Sequence, residues 1–267
     1  MWANLALLTA LACTPAETGL SLTHVRSTHG LLGPERKSET IAPGDVYFLC
    51  FDIDGITVED GGKVRYSLQI ETKDASGRVV FSQMPKDTES TVSLGGTTVP
   101  AYAKLSIGLD TPEGDYQFKV TVKDLATGKQ QSLTRAIKVL PRGFALVRVT
   151  VSRDTEAEYP ASILLCGQGA WVHCNAVVYD RKGADQQPDL DFEVRILDES
   201  GKPTATKPMV QKVNKDIPAN KKHVPMAFPL SLNRAGKFTV EITATDQLSG
   251  KKARFAMPLI VISSVKE

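Results

Sequence analysis

The densest group of potential metal ligands is acidic. Asp52-Ile53-Asp54-Gly55 is followed by Glu59 and Asp60, and four carboxylates in nine residues are the kind of oxygen donors a calcium ion takes. Asp52 and Asp54 share one face of an extended segment, the side that alternation leaves to solvent. The Asp-x-Asp-Gly start has no bidentate Glu at the end of the loop and no helical flanks, so a solvated acidic loop is the competing reading. A second constellation is aromatic. Trp171 alternates with Val172 and Cys174, which places it on the outer face near His173 and Tyr179 and makes these three the candidate ligand-binding residues. An exposed indole offers a stacking platform for sugars and other flat ligands, whereas a Trp at the edge of a core would bind nothing.

Other candidates are weaker. His24 and His29 lie five apart in an extended segment and project to opposite faces, a poor start for a metal site. Lys212, Lys215, Lys221 and Lys222 lie among Asn and Pro and read as a solvated loop. No G-x-S-x-G elbow, phosphate-cradling glycine loop or H-E-x-x-H pair occurs, so the chain is expected not to be an enzyme and to need no cofactor beyond the calcium considered above. The 32 basic and 30 acidic side chains leave a net charge of +2, too little for a nucleic-acid footprint.

The elements that would position these residues emerge when the chain is compared with itself. Gly114-Asp115-Tyr116-Gln117-Phe118-Lys119-Val120-Thr121-Val122-Lys123-Asp124 recurs as Gly236-Lys237-Phe238-Thr239-Val240-Glu241-Ile242-Thr243-Ala244-Thr245-Asp246. Asp74-Ala75-Ser76-Gly77-Arg78 matches Asp198-Glu199-Ser200-Gly201-Lys202, Val99-Pro100 matches Val224-Pro225, and Gly44 matches Gly169. The spacing between matched positions barely changes along the chain. Two copies of one module are therefore expected, at residues 20–141 and 144–267, joined by Pro141-Arg142-Gly143.

Within each copy the hydrophobic period is two, the signature of strands with one wet face. Tyr116, Phe118, Val120 and Val122 point one way; Phe238, Val240, Ile242 and Ala244 do so in the second copy. Ala103, Leu105 and Ile107 correspond to Phe228, Leu230 and Leu232, and Tyr66, Leu68 and Ile70 to Leu190, Phe192 and Val194. Turn pairs such as Ser76-Gly77, Glu113-Gly114 and Thr127-Gly128 punctuate the runs. Six or seven short strands per copy predict an all-β protein of two tandem antiparallel β-sandwiches.

At Gly114-Asp115-Tyr116-Gln117-Phe118 the sequence resembles the immunoglobulin-like and fibronectin-III-like sandwich family, whose strand F carries a Tyr two residues before its cysteine. Phe118 and Val240 stand at that cysteine's position, opposite Leu49 and Cys174. The resemblance therefore implies Ig-like sandwiches without the inter-sheet disulfide, and no particular activity. Bacterial surface and secreted proteins commonly string such modules together.

Residues 1–19 fit an export leader: Leu5 to Ala12 is apolar and ends in the small-x-small form Ala10-Leu11-Ala12. Cys13 sits where a lipoprotein carries its lipidated cysteine, although Ala10 replaces the usual large aliphatic residue. Secretion or residence in the periplasm or cell envelope follows as the expectation, with lipid anchoring through Cys13 open. Cys166 and Cys174 flank a Gly-containing turn and could bridge there. The function expected is adhesion, scaffolding or partner binding in the envelope, to protein or glycan, the rival being a carbohydrate or small-ligand module built on Trp171.

Overall fold

A computed structural model describes residues 19–161 and 163–263. The leader and Cys13 lie outside the described residues. The fold is all-β, with no α-helix among the described residues and one 3-10 turn at Asp60–Gly62. No helix there is long and apolar enough to cross a membrane.

The first half contains β1 (Ser21–Thr28), β2 (Thr40–Ile41), β3 (Val46–Asp54), β4 (Lys63–Asp74), β5 (Val79–Thr91), β6 (Thr98–Ser106), β7 (Gly114–Asp124) and β8 (Gln130–Val139). The second contains β9 (Ala145–Ser152), β10 (Leu164–Leu165), β11 (Gly169–Val177), β12 (Leu190–Leu197), β13 (Met209–Val213), β14 (His223–Ser231), β15 (Gly236–Asp246) and β16 (Lys252–Ile262). Each half builds a three-stranded and a five-stranded sheet. The orders are β1-β3-β6 with β2-β8-β7-β4-β5, and β14-β11-β9 with β10-β16-β15-β12-β13.

Eight strands stand in each half where six or seven were expected. The extra ones are β2 and β10, two residues each. Both pair in parallel, β2 with β8 and β10 with β16, so the sheets are not purely antiparallel. After β1 the chain leaves its sheet and crosses to the edge of the other, where it runs alongside the last strand. β9 and β10 repeat the manoeuvre. Nothing in a two-residue run shows such a crossing in sequence.

Alternation decides what is buried. Tyr116, Phe118, Val120 and Val122 are buried on β7 while Asp115, Gln117 and Lys119 are exposed. On β15 Val240, Ile242 and Ala244 are buried and Phe238 packs partly exposed against them. Each half has its own hydrophobic cluster. Where a disulfide would join the two sheets, Phe118 has no exposed surface and stacks edge-on against Tyr47, ring centres 5.6 Å apart. Such a pair is worth about 0.5–1.5 kcal/mol beyond its buried area. Cys50, Cys166 and Cys174 are all free, so the bridge considered between Cys166 and Cys174 does not form. Cys174 points into the core, and its burial pushes the thiol up to about 12.

The matched turns fold alike. Asp74 Oδ1 accepts from the Ser76 amide (3.0 Å) and the Arg78 amide (3.1 Å), and Asp198 Oδ1 accepts from Ser200 and Lys202 at 3.0 Å each. Gly77 and Gly201 follow with φ of 83° and 80°, a left-handed backbone that glycine adopts without strain. Tyr116 Oη donates to the carbonyl of Pro112 at 2.8 Å, tying the start of β7 to the turn before it. Phe238 has no hydroxyl to repeat it.

Candidate functional site

The acidic residues do not converge. Asp54 Oδ1 accepts from Thr98 Oγ1 (2.6 Å) and Oδ2 from Thr23, bonds that hold its carboxyl below the usual range. Asp52 pairs with His24 (2.9 Å), Glu59 with Arg65 (2.6 Å), and Asp60 sits in the 3-10 turn. Among the described residues no three His, Cys, Asp or Glu side chains form a metal-holding group. Asp52, Asp54 and Glu59 are each drawn to a neighbouring donor, so the four residues of the calcium reading are not brought together.

The aromatic trio is also dispersed. Trp171 is half-buried rather than open, between Ser152 and Pro229 on the neighbouring strands. His173 is buried, not beside an exposed platform. Its Nε2 lies 2.7 Å from Ser152 Oγ and 3.1 Å from the Asp154 carbonyl. The Ser152 hydroxyl donates to the same carbonyl at 2.6 Å. Burial lowers the His173 pKa, against the pull of Asp154. Tyr179 lies beyond the far end of β11, an end about 20 Å along the strand from Trp171; its hydroxyl donates to the Lys221 carbonyl and Arg181 covers its ring. Of the basic run, Lys212 lies on β13, not in a loop, and pairs with Asp189 at 2.9 Å.

Two arrangements escaped the sequence. One is a junction between the halves. Asp45 Oδ2 takes a hydrogen bond from Arg36 Nη2 (2.9 Å), and Oδ1 takes one from the Arg148 amide (2.7 Å). Arg148 Nε also donates to the Gly44 carbonyl, and His29 stacks edge-on against Phe255 at 4.9 Å. A side chain at Gly30 would bring Cβ within 2.6 Å of Thr150 Oγ1. Arg36 is nearly sealed, with 5% of its side chain exposed against 11% for Asp45. The segment between β1 and β2 is thus the wedge on which the second half rests.

The other is a cleft at one end of the first half. The five-stranded sheet outreaches its partner sheet, and β5 is exposed along almost its whole length. Phe81 pairs across from buried Thr72, which puts it on the inner face, yet it stays 41% exposed because no strand covers it. Between this overhang and the ends of β6, β7 and β8 lies a cavity of about 580 Å³. Leu105, Ile107, Ile137, Val80 and Phe81 supply apolar walls, and Thr72 lines it as well. Thr72 is buried and its Oγ1 has no hydrogen-bond partner. Asp74, Arg78, Glu113 and Asp115 stand around it.

The same end of the second half is nearly closed. Ile196, Leu230, Leu232, Phe238 and Leu259 stand where Thr72, Leu105, Ile107, Tyr116 and Ile137 stand in the first, and Arg234 lies over the Phe238 ring at 5.0 Å. About 100 Å³ remains. The sequence signals, in hindsight, are the exchange of Thr72 for Ile196 and the apolar run Val79-Val80-Phe81, which has no counterpart around Thr204.

No family model matches the chain, and no curated protein sequence matches it. Among solved structures, the C-terminal domain of the Streptococcus pyogenes antigen I/II-family protein AspA is 12% identical over 90% of this chain and 99% of its own, with a TM-score of 0.32. Dimeric latent PorU from Porphyromonas gingivalis is 11% identical, covering 96% of this chain and 21% of that one, at a TM-score of 0.37. Red sea bream transglutaminase is 9% identical over 94% of this chain at a TM-score of 0.30, and this chain spans 32% of its length. Likenesses this distant settle neither ancestry nor role.

Proposed function

We propose that this is an exported, non-catalytic binding protein of the cell envelope, a duplicated pair of Ig-like sandwiches used for adhesion, scaffolding or partner binding. The observation that carries the reading is β5. It is the free edge of its sheet, thirteen residues long, and it exposes Val79 (46%) and Met84 (77%). An edge with unpaired N–H and C=O groups is a template for a strand from another protein, and soluble proteins ordinarily blunt such edges. Here the blunting is concentrated in the second part of the strand, with Pro85 at one bulge and Lys86, Asp87 and Glu89 beyond it, while Val79 to Met84 carries no charge and is broken by one bulge near Val80. The junction supports the reading as well, because a braced pair of sandwiches presents that edge at a fixed orientation.

The test is cross-linking of wild-type protein in envelope fractions, compared with Val79→Lys/Met84→Lys, two charges placed on the edge away from the cleft. Loss of a specific adduct at unchanged melting temperature supports the proposal. An identical adduct pattern, or an uncleaved protein confined to the cytosol, refutes it.

A further inference from the structure

The cleft in the first half has the character of a ligand site, and the second half serves as its internal control. Both halves place the same strands around the same sandwich end. In the second half Ile196 and the Arg234–Phe238 stack fill that end, leaving about 100 Å³. In the first half about 580 Å³ stays open, within the size range of small-molecule pockets. The other half shows that such an end can be filled by an isoleucine in place of Thr72 and an arginine laid over an aromatic ring. Instead the wall carries a hydroxyl, Thr72 Oγ1, buried without a partner, an arrangement that costs stability until something bonds to it. The rim adds a preference of charge. Asp74 is paired with Arg78 at 3.1 Å, whereas Glu113 and Asp115 bring two further negative charges without an ion-pair partner among the described residues.

We infer that the first half binds a small apolar molecule, neutral in charge, that carries one hydroxyl or carbonyl and buries it against Thr72. The apolar body lies against Leu105, Ile107 and Phe81. An anionic head is disfavoured by Glu113 and Asp115. The site is separate from the outer edge of β5, and either can fail without the other.

Three probes of one shape separate these contributions: 4-ethylphenol, ethylbenzene and 4-ethylbenzoate, titrated into the full chain and followed by amide chemical shifts. Saturable shifts at Thr72, Phe81 and Tyr116 are expected with 4-ethylphenol. Ethylbenzene should bind about tenfold more weakly, the worth of one neutral hydrogen bond, and the benzoate more weakly still. Thr72→Val should equalise phenol and ethylbenzene, Thr72→Ser should restore the difference, and Val80→Trp, a rim substitution that fills the cleft, should abolish all three responses. Four outcomes overturn the inference: no saturable shift with any probe, equal affinity for phenol and ethylbenzene in the wild type, binding that survives Val80→Trp, or shifts centred on Phe238.

Discussion

Replacing Asp45 with Ala should loosen the chain at its centre. The carboxylate satisfies two donors that come from distant segments, Arg36 at 2.9 Å and the Arg148 amide at 2.7 Å. Removing it leaves a guanidinium that is 5% exposed without its counter-charge. Breaking a buried pair from one side costs about 3–5 kcal/mol. Two bonds that Arg36 keeps, to the carbonyls of Thr28 (3.1 Å) and Val46 (3.0 Å), place the expected loss at the lower end, about 3 kcal/mol. Arg36→Met/Asp45→Ala should recover much of it, since no charge is then stranded. The assay is urea unfolding of the four proteins of the cycle, with trypsin cleavage at Arg142 as the local readout. Asp45→Ala should accelerate that cleavage and release two folded halves. A loss below about 1 kcal/mol, or a double variant less stable than Asp45→Ala, would refute the claim that this pair is buried and braces the junction.

Two further outcomes follow from the titrating groups. Burial, reinforced by Arg36 and opposed by Asp45, pulls the His29 pKa from 6.5 down to about 4. The unfolded chain therefore takes up this proton near pH 6.5 and the folded chain only near 4, so stability should be full above 6.5 and fall as the pH drops to 4. His29→Phe, which keeps the edge-on packing on Phe255, should flatten that part of the curve; an unchanged slope in urea midpoints across this window would count against a neutral His29. Asp124→Ala should destabilise the first half by about 1–3 kcal/mol, because it strands the Thr57 and Ala126 amides that bond to the carboxylate at 3.1 and 2.8 Å. Burial opposes its charge, but those bonds prevail and hold the carboxyl below the usual range. Asp246→Ala should do the same through the Asp180 and Leu248 amides, and thermal melts showing no loss for either would exclude a structural role for these carboxylates.

Much of the fold was legible because the alternation of Tyr116, Phe118, Val120 and Val122 is a local signal, repeated in Phe238, Val240, Ile242 and Ala244. The turns were legible for the same reason: Asp74 and Gly77 act within five residues. The parallel pairing of β2 with β8 was not, since Thr40 and Ile41 meet Lys138 and Val139 only after the whole first half has closed. The candidate sites suffered more. Period two set Asp52, Asp54 and Trp171 on outward faces, but an outward face says nothing about neighbouring strands, and there Trp171 is half-buried and His173 buried. Thr23 and Thr98 consume Asp54, and Ser152 with Asp154 consumes His173. The cleft was invisible because it is an absence of cover over Phe81, and a strand that lacks an opposite number leaves no mark in its own residues.

The two halves agree where the fold needs them to and differ where they face something else. Asp124 and Asp246 both end the same strand by binding the connector after the third long strand's predecessor, Thr57 in one case and Asp180 in the other. The bulged strands β1 and β9 both carry a residue of positive φ, His24 at 46° and Arg148 at 52°. These features maintain a sandwich, so either half would lose stability without them. The bulge residue itself differs: His24 projects into solvent with 76% of its side chain exposed, while Arg148 is turned onto Gly44 and Asp45. The sandwich ends differ as well, Thr72 against Ile196 and the open Phe81 against the Arg234–Phe238 stack. A closed end is the more stable solution on packing grounds alone, since it removes both the void and the orphaned hydroxyl. The first half forgoes that gain at the end that adjoins its exposed edge strand, and stability surrendered beside open apolar surface is what a binding site requires.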